Sequence, residues 1–155
     1  KPVSPALEAG MFYHNDSLTG FLALALRYEE SRSLFALSAG LNTRLGFYGS
    51  LSYKYHFLNF DIRKTNGMNA WRMPRYQPIV ASFQYYAGTE VRTSFNRRYL
   101  SFVETNVHLG MRYESYQPKS FEYYIYLHGG YAKDLLNRIN PDFYPFAQLG
   151  IVFSI

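Results

Sequence analysis

The chain has 155 residues and no cysteine, with 16 Lys and Arg against 11 Asp and Glu, a formal charge of +5. That length suits one domain with a full core, and the absence of cysteine excludes disulfides and thiolate metal sites. Mean hydropathy is −0.24. The longest apolar run, Phe21 to Leu26, falls well short of the roughly 20 residues of a spanning helix, which argues against a helical membrane protein.

Along the chain the side chains alternate between two kinds, the period of a strand, and eight strands are predicted. The first covers about Ala6 to His14, with Leu7, Ala9, Met11 and Tyr13 on one face, and ends in the turn formers Asn15-Asp16-Ser17. The second, about Phe21 to Glu29, sets Leu22, Leu24, Leu26 and Tyr28 against Phe21, Ala23, Ala25 and Arg27. The third covers about Leu34 to Thr43. The fourth, about Gly46 to Arg63, keeps Phe47, Leu51, Tyr53, Tyr55 and Phe57 on one face until Leu58, Phe60 and Ile62 take over the phase. A β-bulge at Phe57-Leu58 would restore one apolar face. Lys64 to Pro78 has no period and contains Gly67, Pro74 and Pro78, so it is predicted to be the longest loop.

The fifth strand, Ile79 to Phe95, alternates almost without error: Phe83, Tyr85 and Val91 on one side, Gln84, Glu90 and Arg92 on the other. It runs longer than the roughly 9–11 residues that cross a bilayer. The sixth is about Tyr99 to Glu114, the seventh about Phe121 to Lys133, and the last about Phe143 to Ile155. Short turns between consecutive strands predict an all-β, eight-stranded antiparallel up-and-down barrel spanning residues 1–155, since closure removes exposed edges.

Barrels of this size come in two polarities, apolar inside for soluble carriers and apolar outside for membrane barrels. The polar face carries Glu90, Arg92, Glu104, His108, Arg112, Glu114, Glu122 and His128 among Ser, Asn, Gln and Gly. A soluble surface would hold more Lys and fewer Gly and Tyr. Charges of both signs suit an enclosed interior where they pair. Arg92 would approach Glu104. Tracing back from the turn at Gln117-Pro118-Lys119 sets Arg112 opposite Glu122 and Asn106 opposite His128. Glu90, Arg92, Glu104, His108, Arg112, Glu122 and His128 are therefore predicted to form an interior polar network. Tyrosine dominates an aromatic content of 19%, with 16 Tyr and 13 Phe against one Trp. Tyr13, Tyr28, Tyr113, Tyr131 and Phe143 near strand ends fit an interfacial girdle or plain strand propensity.

The closing segment, Phe146 to Ile155, alternates apolar residues to the chain end and resembles the final strand of bacterial outer-membrane β-barrel proteins, although that family usually ends in an aromatic residue. The resemblance is architectural and spans the whole chain. It implies a transmembrane barrel in the bacterial outer membrane with both termini periplasmic. The turns at Asn15-Ser17, Arg44-Leu45, Asn96-Arg98 and Asn137-Asp142 then face outward, and the Lys64–Pro78 loop lies on the periplasmic side, where turns are usually short. A soluble lipocalin-like carrier of an apolar ligand is the rival, but its Gly-x-Trp near the start is missing and Trp71 lies in mid-chain. The opening Lys1-Pro2, without Met, looks like a mature or trimmed form and leaves export open.

The search for chemistry assigns no catalytic residue. Lipid A deacylases resemble this chain in size and strand number and use a His-x-Ser with a carboxylate. The nearest match here is His128-Gly129-Gly130 with Gln148, which lacks both the serine and the acid. A lipid A-modifying hydrolase stays as an alternative. His14, Asp16 and Ser17 form a turn that backbone preferences explain. His108 and His128, near Glu104 and Tyr126, read as a hydrogen-bonded interior pair and not as a metal site, and no cofactor is expected. Arg44, Arg97, Arg98, Lys133 and Arg138 would lie near outer strand ends, as solvated residues or as partners of lipopolysaccharide phosphates. Met68, Trp71 and Met73 make the long loop the candidate contact for an envelope protein partner. Membrane lipid is the expected partner; nucleic acid is not. Eight strands leave no wide pore, so the expected role is structural, binding or as a complex subunit.

Overall fold

The computed structural model describes residues 3–14, 17–43, 46–63, 79–96, 99–115, 122–135 and 142–155. Eight strands follow one another: β1 (Val3–His14), β2 (Ser17–Glu30), β3 (Ser33–Asn42), β4 (Phe47–Arg63), β5 (Ile79–Asn96), β6 (Tyr99–Ser115), β7 (Tyr123–Asp134) and β8 (Tyr144–Ser154). Each pairs antiparallel with the next, and β8 returns to β1 to close the barrel. The predicted count of eight holds, and Arg63 of β4 pairs with Ile79 of β5 at the end of the barrel that carries Val3 and Ser154. The predicted Lys64–Pro78 loop, with Met68, Trp71 and Met73, falls outside the described residues.

The alternation explains why each segment is a strand and which way it turns. In β2, Leu22, Leu24 and Leu26 are exposed while Phe21, Ala23, Ala25 and Arg27 are buried. The phase slip in β4 is resolved as expected: His56 pairs with Tyr86 and Leu58 with Tyr85, leaving Phe57 as the extra residue of a bulge. Only Ser31 and Arg32 link β2 to β3, and Ser31 takes a φ of 56°, the left-handed conformation that two-residue hairpin turns require. β4, β5 and β6, at 17, 18 and 17 residues, are longer than the other strands. β3 pairs with β4 only as far as Tyr55, whereas β4 and β5 stay paired to Arg63 and Ile79.

Adjacent glycines in β7 show how tightly the wall is built. A Cβ on inward-facing Gly130 would sit 2.0 Å from the Val107 carbonyl oxygen and 2.9 Å from His108 Cα, both backbone of β6. A Cβ on outward-facing Gly129 meets nothing nearer than the Phe146 carbonyl oxygen at 3.2 Å. Gly130→Ala is therefore expected to cost at least the ~1–3 kcal/mol of overpacking, and Gly129→Ala no more than about 0.5 kcal/mol. Guanidinium unfolding of the two variants side by side checks the contrast.

Candidate functional site

The distribution of polarity across the wall is the feature from which function must be read. Leu24, Leu37, Leu51 and Leu109 are more than half exposed on the outside, while Arg92, Glu104 and Asp134 are fully buried within. A soluble globular protein does the reverse. The interior holds charge, so it needs internal partners, because an unpaired buried charge is costly.

At the end of the barrel away from the termini, those partners gather around Arg92. Its Nη1 donates to Glu104 Oε1 at 3.2 Å, and its Nη2 to Glu90 Oε1 at 2.7 Å. Nη2 also donates to Gln148 Oε1 across the lumen. The guanidinium lies 4.1 Å from the Phe12 ring centroid, close enough for a cation–π contact. Tyr144 OH donates to Glu104 Oε2 at 2.5 Å, and Asn106 Nδ2 to Glu90 Oε1 at 3.2 Å. Cross-strand pairing of Arg92 with Glu104 explains the first ion pair. Pairing of Glu90 with Asn106 explains the Asn106 hydrogen bond in the same way, and the remaining contacts cross the lumen or run along one face of a strand.

The middle layer is aromatic. His108 and His128 stack with centroids 4.0 Å apart, and Tyr126 stacks with His128 at 5.4 Å. Tyr86 OH and His128 Nδ1 are 2.8 Å apart, and His108 Nδ1 lies 2.8 Å from Asn106 Oδ1. The two histidines thus stack on each other and bond to other partners, where mutual hydrogen bonding was expected. Gln148 Nε2 donates to Tyr126 OH at 2.7 Å, and Tyr126 OH donates to Glu8. Hydrogen bonds therefore run from Arg92 through Gln148 and Tyr126 to Glu8.

The third layer lies toward the termini. Arg112 donates to Glu29 Oε1 at 3.3 Å and to Glu114 Oε2 at 3.2 Å, with its guanidinium 3.9 Å from the Tyr124 ring centroid. Arg27 Nη2 reaches Ser4 at 3.3 Å and Ser154 at 3.1 Å, tying β2 to both strands of the closing seam. Between these layers lies an interior cavity of about 20 Å³, lined by Glu8, Lys54, Glu90 and Tyr126 among others. That is room for little more than one water. A carrier of an apolar ligand needs a roomy apolar lumen, and this lumen is charged and filled.

Of the residues predicted for the interior network, Glu90, Arg92, Glu104, His108, Arg112 and His128 are buried there. Glu122 is not: it precedes β7 and is exposed. Arg112 faces Tyr126, and Asn106 faces Ala132, each four positions beyond the expected partner. The strand pair slides because the connection after Ser115 is longer than the turn from which the register was traced. The sequence reading left out Glu8, Arg27, Lys54, Asp134 and Gln148 as network members, although alternation alone assigns Glu8, between exposed-face Leu7 and Ala9, to the inner face.

The headgroup candidates Arg44, Arg97, Arg98 and Arg138 lie outside the described residues, as do Asp16 and the side chains of His14 and Ser17. Lys133 is half-buried, with Nζ 5.6 Å from the Phe143 ring centroid. Tyr13, Tyr28, Tyr131 and Phe143 are exposed on the outer surface near strand ends, whereas Tyr113 is half-buried.

Two solved structures are similar to this chain. The N-terminal β-barrel domain of Pseudomonas aeruginosa OprF matches over 100% of this chain and 98% of its own, with 17% identity and a TM-score of 0.50. Neisserial surface protein A (NspA) matches over 99% of this chain and 96% of its own, with 9% identity and a TM-score of 0.41. Both are bacterial outer-membrane β-barrels, and the likeness concerns the fold. No protein-family model matches the chain, and no curated protein does.

Proposed function

We propose that this chain is an integral outer-membrane barrel whose sealed interior serves stability, and that it acts as a structural or binding component of the cell envelope. The inverted polarity carries the reading: a wall of exposed Leu, Phe and Tyr encloses Arg92, Glu90, Glu104 and Arg112. Such a wall matches hydrocarbon and would expose a large apolar surface in water. The barrel fold shared with an outer-membrane domain supports the same location. In this orientation the basic residues at 44, 97, 98, 133 and 138 would meet lipopolysaccharide phosphates. The connection at 64–78 would offer Met68, Trp71 and Met73 to an envelope protein on the opposite side.

Expressed in bacteria, the protein should remain in the envelope fraction until detergent is added, and it should migrate differently on a gel before and after boiling. Recovery in the soluble fraction with a bound fatty ligand would overturn the proposal in favour of a carrier. Release of fatty acid from lipid A, lost in His128→Ala, would overturn the non-enzymatic role.

A further inference from the structure

At the end of the barrel that carries the termini, β4 outruns β3. The 10 residues of β3 match the roughly 9–11 that cross a bilayer. Its first residue, Ser33, pairs with Tyr55 of β4, and one further backbone bond runs from His56 N to the Arg32 carbonyl oxygen at 2.8 Å. β4 nevertheless continues against β5 to Arg63, which pairs with Ile79. From Leu58 to Ile62, no strand among the described residues lies on the other side of β4. Every second residue of this stretch turns its N–H and C=O away from β5. It therefore presents the unpaired backbone groups of an open sheet edge.

The side chains of the same stretch are exposed on both faces. Leu58, Phe60 and Ile62 are 43%, 53% and 40% exposed on the outer face, and Asn59 and Asp61 are exposed on the other. Asp61 faces Ser82 of β5 and makes no ion pair among the described residues. Where the β2–β3 turn meets this stretch, a recess of about 350 Å³ is lined by Ser31, Arg32, Leu58 and Asn59 among others, which leaves space for the end of an added strand. One occupant has to meet three requirements. It needs backbone groups that complete the ladder, apolar side chains at every second position to cover Leu58, Phe60 and Ile62, and a cation between them for Asp61.

Lipid tails do not meet them, because hydrocarbon has no hydrogen bonds to offer a free edge. A second copy is excluded by symmetry. Two barrels in one membrane are related by an axis along the membrane normal, which crosses two tilted edge strands and does not lay them side by side. We propose that β4 from Leu58 to Ile62 is a docking edge for an extended segment of a protein on the termini side of the membrane. That segment alternates apolar and basic residues and adds a strand to the sheet, its main chain supplying the affinity and its alternate side chains the specificity. This rests on the membrane-barrel reading and gives the envelope partner of that reading its chemistry.

The test uses the full chain refolded into phosphatidylcholine nanodiscs, where both ends of the barrel are open to solution. Heat-modifiable migration first shows that the barrel has formed. The probe is a fluorescent synthetic peptide that alternates valine and lysine. It should bind, and an analogue methylated on its amide nitrogens should bind about tenfold more weakly or worse, the effect of losing one or two ordinary hydrogen bonds. Asp61→Lys, which turns attraction into repulsion, should also weaken binding about tenfold. The chain has no cysteine, so a single introduced one reports position. Under mild oxidation Asn59→Cys should trap a single-cysteine version of the peptide faster than Glu122→Cys, which is exposed at the same end of the barrel; Asp61→Cys provides the same test should the first variant fail to fold. Equal binding of the methylated peptide, binding indifferent to Asp61→Lys, equal trapping at both positions, or no binding to a formed barrel would overturn the docking edge alone. Failure to insert would overturn it together with the membrane reading.

Discussion

Replacing Arg92 by Met is expected to lower the unfolding free energy of the barrel by about 3–5 kcal/mol, the cost of breaking a buried charge cluster by removing one partner. Arg92 is fully buried, and its head group meets Glu90, Glu104 and Gln148 on three sides. Without it, Glu90 and Glu104 keep Asn106 and Tyr144 as donors but lose the cation that compensates both. Met fills much of the stem's volume, so the effect reports charge more than cavity. Equilibrium unfolding in detergent, read by heat-modifiable migration, measures it. The triple variant Arg92→Met, Glu90→Gln, Glu104→Gln should recover much of the loss, because it removes the uncompensated charges along with their partner. Arg92→Lys should fall between. It keeps the charge but cannot span three acceptors with a planar fork, and its expected cost is about 1–3 kcal/mol, that of one or two charge-assisted hydrogen bonds. A Met variant as stable as the parent would show that the cluster is not what holds the lumen together.

The cluster also shows what sequence can reveal. Alternation placed Glu90 and Arg92 on the polar face of β5, and the short turn after Phe95 brought Arg92 opposite Glu104, as found. The bulge at Phe57 was legible because two apolar residues in succession break a period of two. The β6–β7 register was not legible, since nothing local fixes how many residues a longer connection takes up, and Glu122 dropped out of the interior for that reason. Gln148 and Glu8 were missed for a different reason. Gln148 is on β8 and bonds to Arg92 on β5; Glu8 is on β1 and bonds to Tyr126 on β7. Contacts across a lumen join strands that are not neighbours in the sheet, and a periodicity argument sees only one strand and the next.

Placing Arg at Leu24 should cost about 2–4 kcal/mol, the penalty for a cation on the lipid face of a barrel near the bilayer midplane. Leu24 is 63% exposed near the middle of β2, and its neighbours on the outer face are Leu7 of β1 and Ala39 of β3. On a water-facing surface the same change would stay within about 0.5 kcal/mol, so the substitution separates the two environments by an amount well outside measurement error. Depth provides the control. Leu18 is 62% exposed near the start of the same strand, and Arg there should cost only about 0–1 kcal/mol, because a long side chain near the interface can reach the headgroups. Leu24→Ala removes apolar area without adding charge and should fall well below Leu24→Arg. If Leu24→Arg and Leu18→Arg cost the same small amount in lipid vesicles, the wall does not sit at hydrocarbon depth, and its exposed leucines would need a protein partner to cover them.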